Sequence, residues 1–220
     1  MLYWETYNEY NETWTPDEYT KVYTVVTPWY WVTDPTVSFQ EKFPDLMWTY
    51  DWDGQTVVWS DMDNARYNDW DYATGTWWSS GWAKKTKWLL AYNYWFTLPS
   101  TALIDWVELK VYRKSAWLGT SISDNLVTLT TNWTVIGTNK AVWTEWWDFS
   151  SPRTLVTYWW PTDTWGLSLT QAIVNSTNFG AIFSANVYGG FSNASIAIVD
   201  YMELKVYYKL APTRVPPVLS

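Results

Sequence analysis

The sequence predicts an all-β protein: an antiparallel β-sandwich of the jelly-roll type, with an N-terminal arm or accessory β layer. One strand motif occurs twice, at residues 104–114 and again at residues 199–209. Both copies alternate apolar and polar side chains with a period of two, which is the period of a β-strand. Further short alternating segments are separated by Gly, Pro, Asn and Asp, a spacing that is typical of sandwiches and jelly rolls.

The repeated motif also predicts how its two copies pair. Each copy places three apolar side chains on one face: Val107, Leu109, Val111, Met202, Leu204 and Val206. On the other face, an antiparallel arrangement sets Glu108 opposite Lys205. The same register sets Lys110 opposite Glu203, whereas a parallel arrangement in that register opposes like charges. We therefore expect the two copies to be antiparallel neighbours.

Residues 1–60 are expected to form the arm or accessory layer. They are polar and aromatic, and prolines at positions 16, 28, 35 and 44 interrupt them. Short strands are predicted at 21–26 and 56–60, with a loop at 51–54.

Residues 61–210 are expected to form one sandwich domain. Strands are predicted at 87–97, 103–113, 125–131, 154–160, 179–188 and 196–208, and one helical turn at 169–174. The segments that flank the two copies of the repeated motif differ, so one domain with two similar strands fits better than a tandem duplication. Residues 211–220 contain three prolines and cannot continue a sheet, so we expect a C-terminal tail.

Composition excludes several kinds of chemistry. The chain has no cysteine and no histidine, which rules out disulfides, thiolate nucleophiles, Ser-His-Asp catalysis and histidine-bound zinc. Its net charge of −8 disfavours a nucleic-acid partner, because phosphate contacts need clustered Lys and Arg. Neither a membrane helix nor a signal peptide is apparent, so we expect a soluble chain that does not export itself.

Aromatic residues make up 21% of the chain, and 22 of them are tryptophan. Each such ring can bury on the order of 150–250 Å², so some rings must lie at surfaces or interfaces. Adjacent residues in a strand point to opposite faces, so one ring of each Trp-Trp doublet is expected to point away from the core. The candidate contact or ligand-binding rings are Trp77, Trp78, Trp82, Trp146, Trp147, Trp159 and Trp160.

A set of motifs in a fixed order resembles a known module. The motifs are DWDYAT at 69–74, FTLP at 96–99, SDNLVTL at 123–129, IGTNKA at 136–141, TDTWG at 162–166 and NFGAIFSA at 178–185. A tryptophan follows the fourth motif at position 143 or 146, and the second copy of the repeated strand closes the set. This order resembles a β-sandwich module of virion and tail-associated structural proteins of tailed bacteriophages. The resemblance covers about residues 61–209.

The resemblance implies a structural role in a phage particle: capsid decoration, head fibre, tail or baseplate component, or receptor-binding domain. It implies a virion location after assembly in the host cytoplasm. The matched residues themselves have mainly structural explanations. Pro99 is expected to end a strand, Gly137, Gly166 and Gly180 to serve turns or close backbone approaches, and Asp163 to bind local amides.

Acidic residues suggest a calcium site, on a less specific pattern than that of the aromatic residues. Six of them alternate as in calcium-binding loops and are candidate ligands of a structural calcium ion: Asp51, Asp53, Asp61, Asp63, Asp69 and Asp71. Aspartate also simply favours turns. A glycosidase needs two carboxylates across a cleft, and nothing in the sequence singles out such a pair. Glu108 and Glu203 are expected to be solvated cross-strand partners of lysines.

The expected function is therefore that of a non-enzymatic virion protein without a cofactor, which forms a homo-oligomer and contacts other virion proteins through its aromatic surface. The arm and the tail are expected to dock on neighbours. The alternative is a module that binds a glycan or a host receptor, because exposed Trp and Tyr rings can hold the apolar faces of sugars. Rings that are buried only in an assembly would favour the first function, and rings in an open groove beside polar side chains the second.

Overall fold

The computed structural model of the protein describes residues 37–51, 54–78, 83–116, 121–143, 147–148, 154–159, 161–189 and 194–211. These residues form strands β1 Ser38–Lys42, β2 Leu46–Tyr50, β3 Trp59–Ser60, β4 Ala73–Trp77, β5 Lys84–Lys85 and β6 Trp88–Tyr92. They continue with β7 Ala102–Ser115, β8 Ser121–Thr131, β9 Thr134–Ile136, β10 Thr154–Tyr158, β11 Phe179–Tyr188 and β12 Ser195–Leu210. A 3-10 turn, Met62–Ala65, follows β3, and a short helix, α1 Gln171–Val174, precedes β11.

The strands form two antiparallel sheets that pack against each other, so the predicted all-β sandwich is confirmed. Sheet I has the order β10-β7-β12-β4-β3, with β1 also beside β12. Sheet II has the order β2-β6-β11-β8-β9, with β5 also beside β11. Most connections between successive strands pass from one sheet to the other, as between β6 and β7 and between β7 and β8. A continuous core lies between the sheets.

The two copies of the repeated motif are β7 and β12, and they pair antiparallel as predicted. The register sets Glu203 opposite Lys110 and Lys205 opposite Glu108. The six apolar residues that alternation placed on one face are all fully buried between the sheets. Cross-strand charge pairing and the apolar faces therefore agree on a single register.

A local two-fold relationship results from this pairing. The Trp106 ring stacks on Tyr207 with ring centroids 4.1 Å apart, and the equivalent rings Tyr201 and Tyr112 meet edge-on at 4.8 Å. The register also shifts twice, between Val199 and Met202 and between Tyr207 and Tyr208. Such bulges add twist to the paired strands. Equivalent residues therefore meet at both ends of the pair, but the two rings stack at one end and meet edge-on at the other.

Strand β11 lies at the centre of sheet II and allows no side chain at Gly180. A Cβ atom at this position would lie 2.9 Å from Tyr92 Cα and closer still to the Ala91 carbonyl oxygen. Gly137 instead adopts a φ of 78°, which favours glycine. The predicted uses of these two glycines, close approach and turn, are both found.

The sandwich begins earlier than the predicted residue 61. Strands β1 and β2 pair with β12 and β6, and the compact unit runs from Pro35 to Ala211. These five-residue strands lie between Pro and Asp residues, which concealed them in the sequence. The predicted helical turn is present as α1, whose N-cap Thr170 side chain accepts a hydrogen bond from Ile173 N. The predicted strand at 21–26 and residues 212–220 lie outside the described residues.

Candidate functional site

The candidate tryptophans fall into different environments. Trp78 is 80% exposed at the end of β4, whereas its neighbour Trp77 packs partly against the core. Trp159 is 38% exposed just after β10. Trp82, Trp146 and Trp160 lie outside the described residues.

Trp147 is part of the core and is not a surface ring. It is 3% exposed, and its indole nitrogen donates a hydrogen bond to Asp124 Oδ1 at 2.9 Å. The ring packs against Phe183 and lies under the Arg113 guanidinium. These contacts remove Trp147 from the rings that a partner can reach on the folded surface. The backbone amide of Trp147 donates a hydrogen bond to the Ile122 carbonyl of β8, and the side chain lies in the core, a tertiary contact that strand alternation does not describe.

Asp124, on β8, is the centre of a buried polar cluster that joins the two sheets. Its carboxylate accepts hydrogen bonds from Trp147 Nε1, from the Tyr158 hydroxyl at 2.8 Å and from Val142 N at 3.2 Å. Arg113 Nε of β7 lies 3.3 Å from Asp124 Oδ1, and both side chains are almost completely buried. Four donors thus converge on one carboxylate, which satisfies a charge that would be costly if buried alone.

The protonation states in this cluster follow from burial. Burial raises the pKa of Asp124, while the charge of Arg113 and the hydrogen bonds from Tyr158, Val142 and Trp147 oppose that rise. Burial and the negative charge of Asp124 hold the pKa of Tyr158 well above its usual value of 10.0. Tyr158 therefore remains a hydroxyl donor to the carboxylate. The arrangement is that of a structural link between the two sheets.

The candidate calcium ligands that the structure describes are not gathered into a site. Asp51 accepts a hydrogen bond from Gln55 N and pairs with Lys87 at 3.5 Å. Asp69 accepts from the backbone of Asp71, which is an ordinary turn contact. Asp61 precedes the 3-10 turn that contains Asp63, and Asp53 lies outside the described residues. Across the described ranges, no three acidic side chains come together in a way that could hold a metal ion.

The expectation that Glu108 and Glu203 are solvated is wrong. They are only 6% and 5% exposed on the outer face of sheet I. Lys110 Nζ lies between them, 3.1 Å from Glu203 and 3.8 Å from Glu108, and it also pairs with Glu41 of β1. The Tyr207 hydroxyl donates to Glu108 at 3.2 Å. The ion pairs and the hydrogen bond hold both carboxylates close to Lys110 and Tyr207, which the alternating pattern alone does not reveal.

The outer face of sheet II is apolar and was not predicted as a functional surface. We call it the sheet II face. Its floor is Trp88, Leu90 and Ile182, all at most 5% exposed. Around this floor lie partly buried and exposed apolar side chains: Leu46, Trp48, Tyr50, Tyr92, Leu126 and Trp133. The sequence contains a pattern that could have predicted this face, since large apolar or aromatic residues alternate at positions 46, 48 and 50.

Rings meet at both ends of the sheet II face. Tyr50 packs on Trp88 with centroids 6.2 Å apart, and Trp133 meets Tyr92 at 6.5 Å. Trp48 lies between these contacts on β2, opposite Leu90, and is 57% exposed. None of the residues that form the face carries a charge. The outer face of sheet I differs, because Glu41, Lys110 and their neighbours make it charged.

A groove of about 540 Å³ lies at the β3–β4 edge of sheet I. It is lined by Thr56, Val58, Ser60, Thr76, Trp77 and Trp78. Lys84 Nζ lies 5.7 Å from the centroid of the Trp77 ring and so fixes that ring from beside the groove. One of the predicted Trp-Trp doublets is thus found beside hydroxyl side chains in an open groove.

Fold and surfaces together define an all-β sandwich protein with exposed aromatic surfaces. No family model matches this chain, and no curated protein or solved structure matches it either. Among the described residues, no helix has the length and apolar character needed to cross a membrane. The function must therefore be inferred from the residues and surfaces of the chain itself.

Proposed function

We propose that this chain is a non-enzymatic structural protein of a phage virion, either a capsid decoration or head fibre or a tail-associated component. It contacts copies of itself and other virion proteins through aromatic side chains. The ordered motifs at 69–74, 96–99, 123–129, 136–141, 162–166 and 178–185 support the class of protein. Their residues serve the sandwich, as when the Asp163 side chain accepts the amide of Trp165 at 2.7 Å.

The observation that carries this proposal is the sheet II face. Leu46, Trp48 and Trp133 are 44%, 57% and 57% exposed around a buried apolar floor. A contiguous apolar area of this kind is unusual on the surface of a monomer and is typical of a protein contact. Its lack of charge disfavours nucleic acid and favours another apolar protein surface.

A second copy of the chain is the partner that best fits this face. A two-fold axis sets the same residues of two copies against each other, so an uncharged apolar face meets an equally apolar one. Strand β2, which supplies Leu46, Trp48 and Tyr50, contains no charged residue that such a contact would bury. Two copies that stack their sheet II faces therefore bury the apolar side chains of both in one interface.

The chemistry of the described residues supports a non-enzymatic role. Histidine and cysteine are missing from the sequence, and two of the buried carboxylates are bound by other side chains. Glu203 pairs with Lys110, and Asp124 accepts four hydrogen bonds or ion pairs. Carboxylates held in this way cannot act as the free acid and base of a hydrolase.

Sedimentation analysis of the full chain tests the contact surface. We expect a homo-oligomer, and we expect the double substitution Trp48→Ser and Tyr50→Ser to convert it to monomers. Trp143→Ser is the matched control, because Trp143 is 65% exposed outside the sheet II face and its loss should leave the assembly intact. A native chain that stays monomeric at about 100 μM, well above typical dissociation constants of stable oligomers, contradicts the contact surface.

Immunogold labelling of particles tests the virion location separately. Phage particles produced from the genome that encodes this chain should carry the label at one defined place, on the head or on the tail. Particles lacking the protein after purification through a density gradient would contradict the virion role, whatever the oligomeric state of the isolated chain.

A further inference from the structure

We propose that the groove at the β3–β4 edge of sheet I binds an uncharged saccharide. The inference concerns a different surface from the sheet II face and does not depend on how the protein assembles. A groove of about 540 Å³ lies within the roughly 300–1,000 Å³ range of small-molecule sites. It is therefore large enough for a short segment of a sugar chain.

The shape of the groove follows from the pairing of β3 with β4. Trp59 lies opposite Gly75 and its ring is buried, so the neighbouring residues Val58 and Ser60 point to the outer face. Thr56 continues this row, and Thr76 belongs to the facing strand. Gly75 faces the core with Trp59, because a Cβ atom on Gly75 would lie 3.5 Å from the Trp59 ring. The outer surface at this edge therefore carries the hydroxyl groups of Thr56, Ser60 and Thr76.

The chemistry of the lining defines the ligand class. Three of the six lining residues, Thr56, Ser60 and Thr76, carry hydroxyl groups that can both donate and accept hydrogen bonds. Trp77 and Trp78 add indole faces, which pack against the apolar C–H face of a pyranose ring. None of these six described residues carries a charge, so none of them pairs with a phosphate, sulfate or carboxylate group. An uncharged polyhydroxyl ligand can hydrogen-bond to the hydroxyl side chains and also pack against the indole rings.

The exposed Trp78 ring provides the groove with an aromatic surface on which a sugar ring can stack. At 80% exposure this side chain contributes little to the packing of the core, whereas Trp77 beside it packs partly against the core. The cation of Lys84 over the Trp77 ring orders that ring without entering the lining. One ring is thus held in place and the next is available for stacking, so a sugar can bury apolar area that the fold leaves open.

A saccharide-binding assay with the full chain tests the assignment. The probes are neutral trisaccharides of glucose, galactose and N-acetylglucosamine, with uronate-containing and sialylated trisaccharides as charged comparisons. Titration calorimetry should detect binding of at least one neutral probe, up to about 10 mM for a weak single-site interaction. Trp78→Ala should weaken that binding roughly tenfold or more, since truncated Trp anchors have effects of this size. Thr76→Val, which keeps the shape and removes one hydroxyl, should weaken it less.

Trp143→Ala is the matched control, because Trp143 is exposed to a similar degree, 65%, and does not line the groove. Its affinity should equal that of the native chain, and thermal unfolding should confirm that all variants are folded. Three results overturn the proposal: no neutral probe binds, the charged probes bind better, or Trp78→Ala binds as tightly as Trp143→Ala. The sedimentation behaviour should be unchanged in Trp78→Ala, which separates this test from that of the proposed assembly.

Discussion

Lys110 of β7 lies opposite Glu203 of β12, and its Nζ is 3.1 Å from Glu203 Oε1. The two residues belong to the two copies of one strand motif, so the pair exists because the chain repeats that motif in the opposite direction. The lysine also neutralises Glu108 and Glu41, which come from its own strand and from β1. One cation thus holds three carboxylates of three strands on the outer face of sheet I.

Removing this cation should destabilise the fold. We expect Lys110→Met to lower the free energy of unfolding by about 2 kcal/mol, because the nearly buried Glu203 and Glu108 lose the charge beside them. Urea denaturation measures the change. Lys209→Met is the control, since Lys209 pairs with Asp105 at the end of the same strands and is 36% exposed. Its loss should cost no more than about 1 kcal/mol. Equal losses in both variants would show that Lys110 has no special role.

The Asp124 cluster, which links the two sheets, should be more sensitive to substitution than the Lys110 ion pairs. We expect Asp124→Ala to cost about 3–5 kcal/mol, because Arg113 keeps a buried charge without its partner and three further donors lose their acceptor. The transition midpoint in denaturant reports this change. Asp105→Ala removes a carboxylate of the more exposed pair with Lys209 and should cost far less. A loss as small as that of the control would mean that the cluster relaxes or admits water.

A side chain at Gly180 should prevent β11 from approaching β6. Gly180→Ala places a methyl group against the backbone of Ala91 and Tyr92, which cannot move without breaking the pairing of the two strands. We expect a loss of about 3 kcal/mol or more, or a failure to fold. Gly54→Ala is the comparison, because it meets no atom within 4 Å and only has a positive φ of 61°. It should cost about 1 kcal/mol, and circular dichroism on heating distinguishes the two outcomes.

Trp165, the tryptophan of the TDTWG motif, should contribute to the stability of the fold and not to contacts with other proteins. Trp165 is fully buried, and its indole nitrogen donates to the Val107 carbonyl at 2.9 Å. Trp165→Phe leaves that carbonyl without its donor and leaves a small cavity, so we expect a loss of about 2–3 kcal/mol. Trp143→Phe, at a site 65% exposed, should change stability by less than about 0.5 kcal/mol. Chemical denaturation that finds the two variants equal would contradict the structural role of the motif.

Apolar and polar alternation along the chain predicted strands β7, β11 and β12, and all three were found. Their burial is less regular than the sequence pattern, since β11 is buried along nearly its whole length and β12 along most of it. The short strands β1, β2 and β4 were missed, since five residues next to Pro, Asp or Gly give too little pattern. The sheet II face was missed with them, because β2 supplies three of its rings or apolar chains: Leu46, Trp48 and Tyr50.

The sequence by itself determined the fold class and the register of the repeated strands, because period-two alternation assigns faces and opposite charges select one pairing. Only the tertiary structure decided which polar groups and rings are covered. A bulge in β8 leaves Asn125 without a partner in the register, so Asp124 turns to the core, where alternation alone would place it outside. Trp147 reaches the same cluster from a distant loop. Burial of these residues depends on contacts between segments far apart in the chain, which no local pattern encodes.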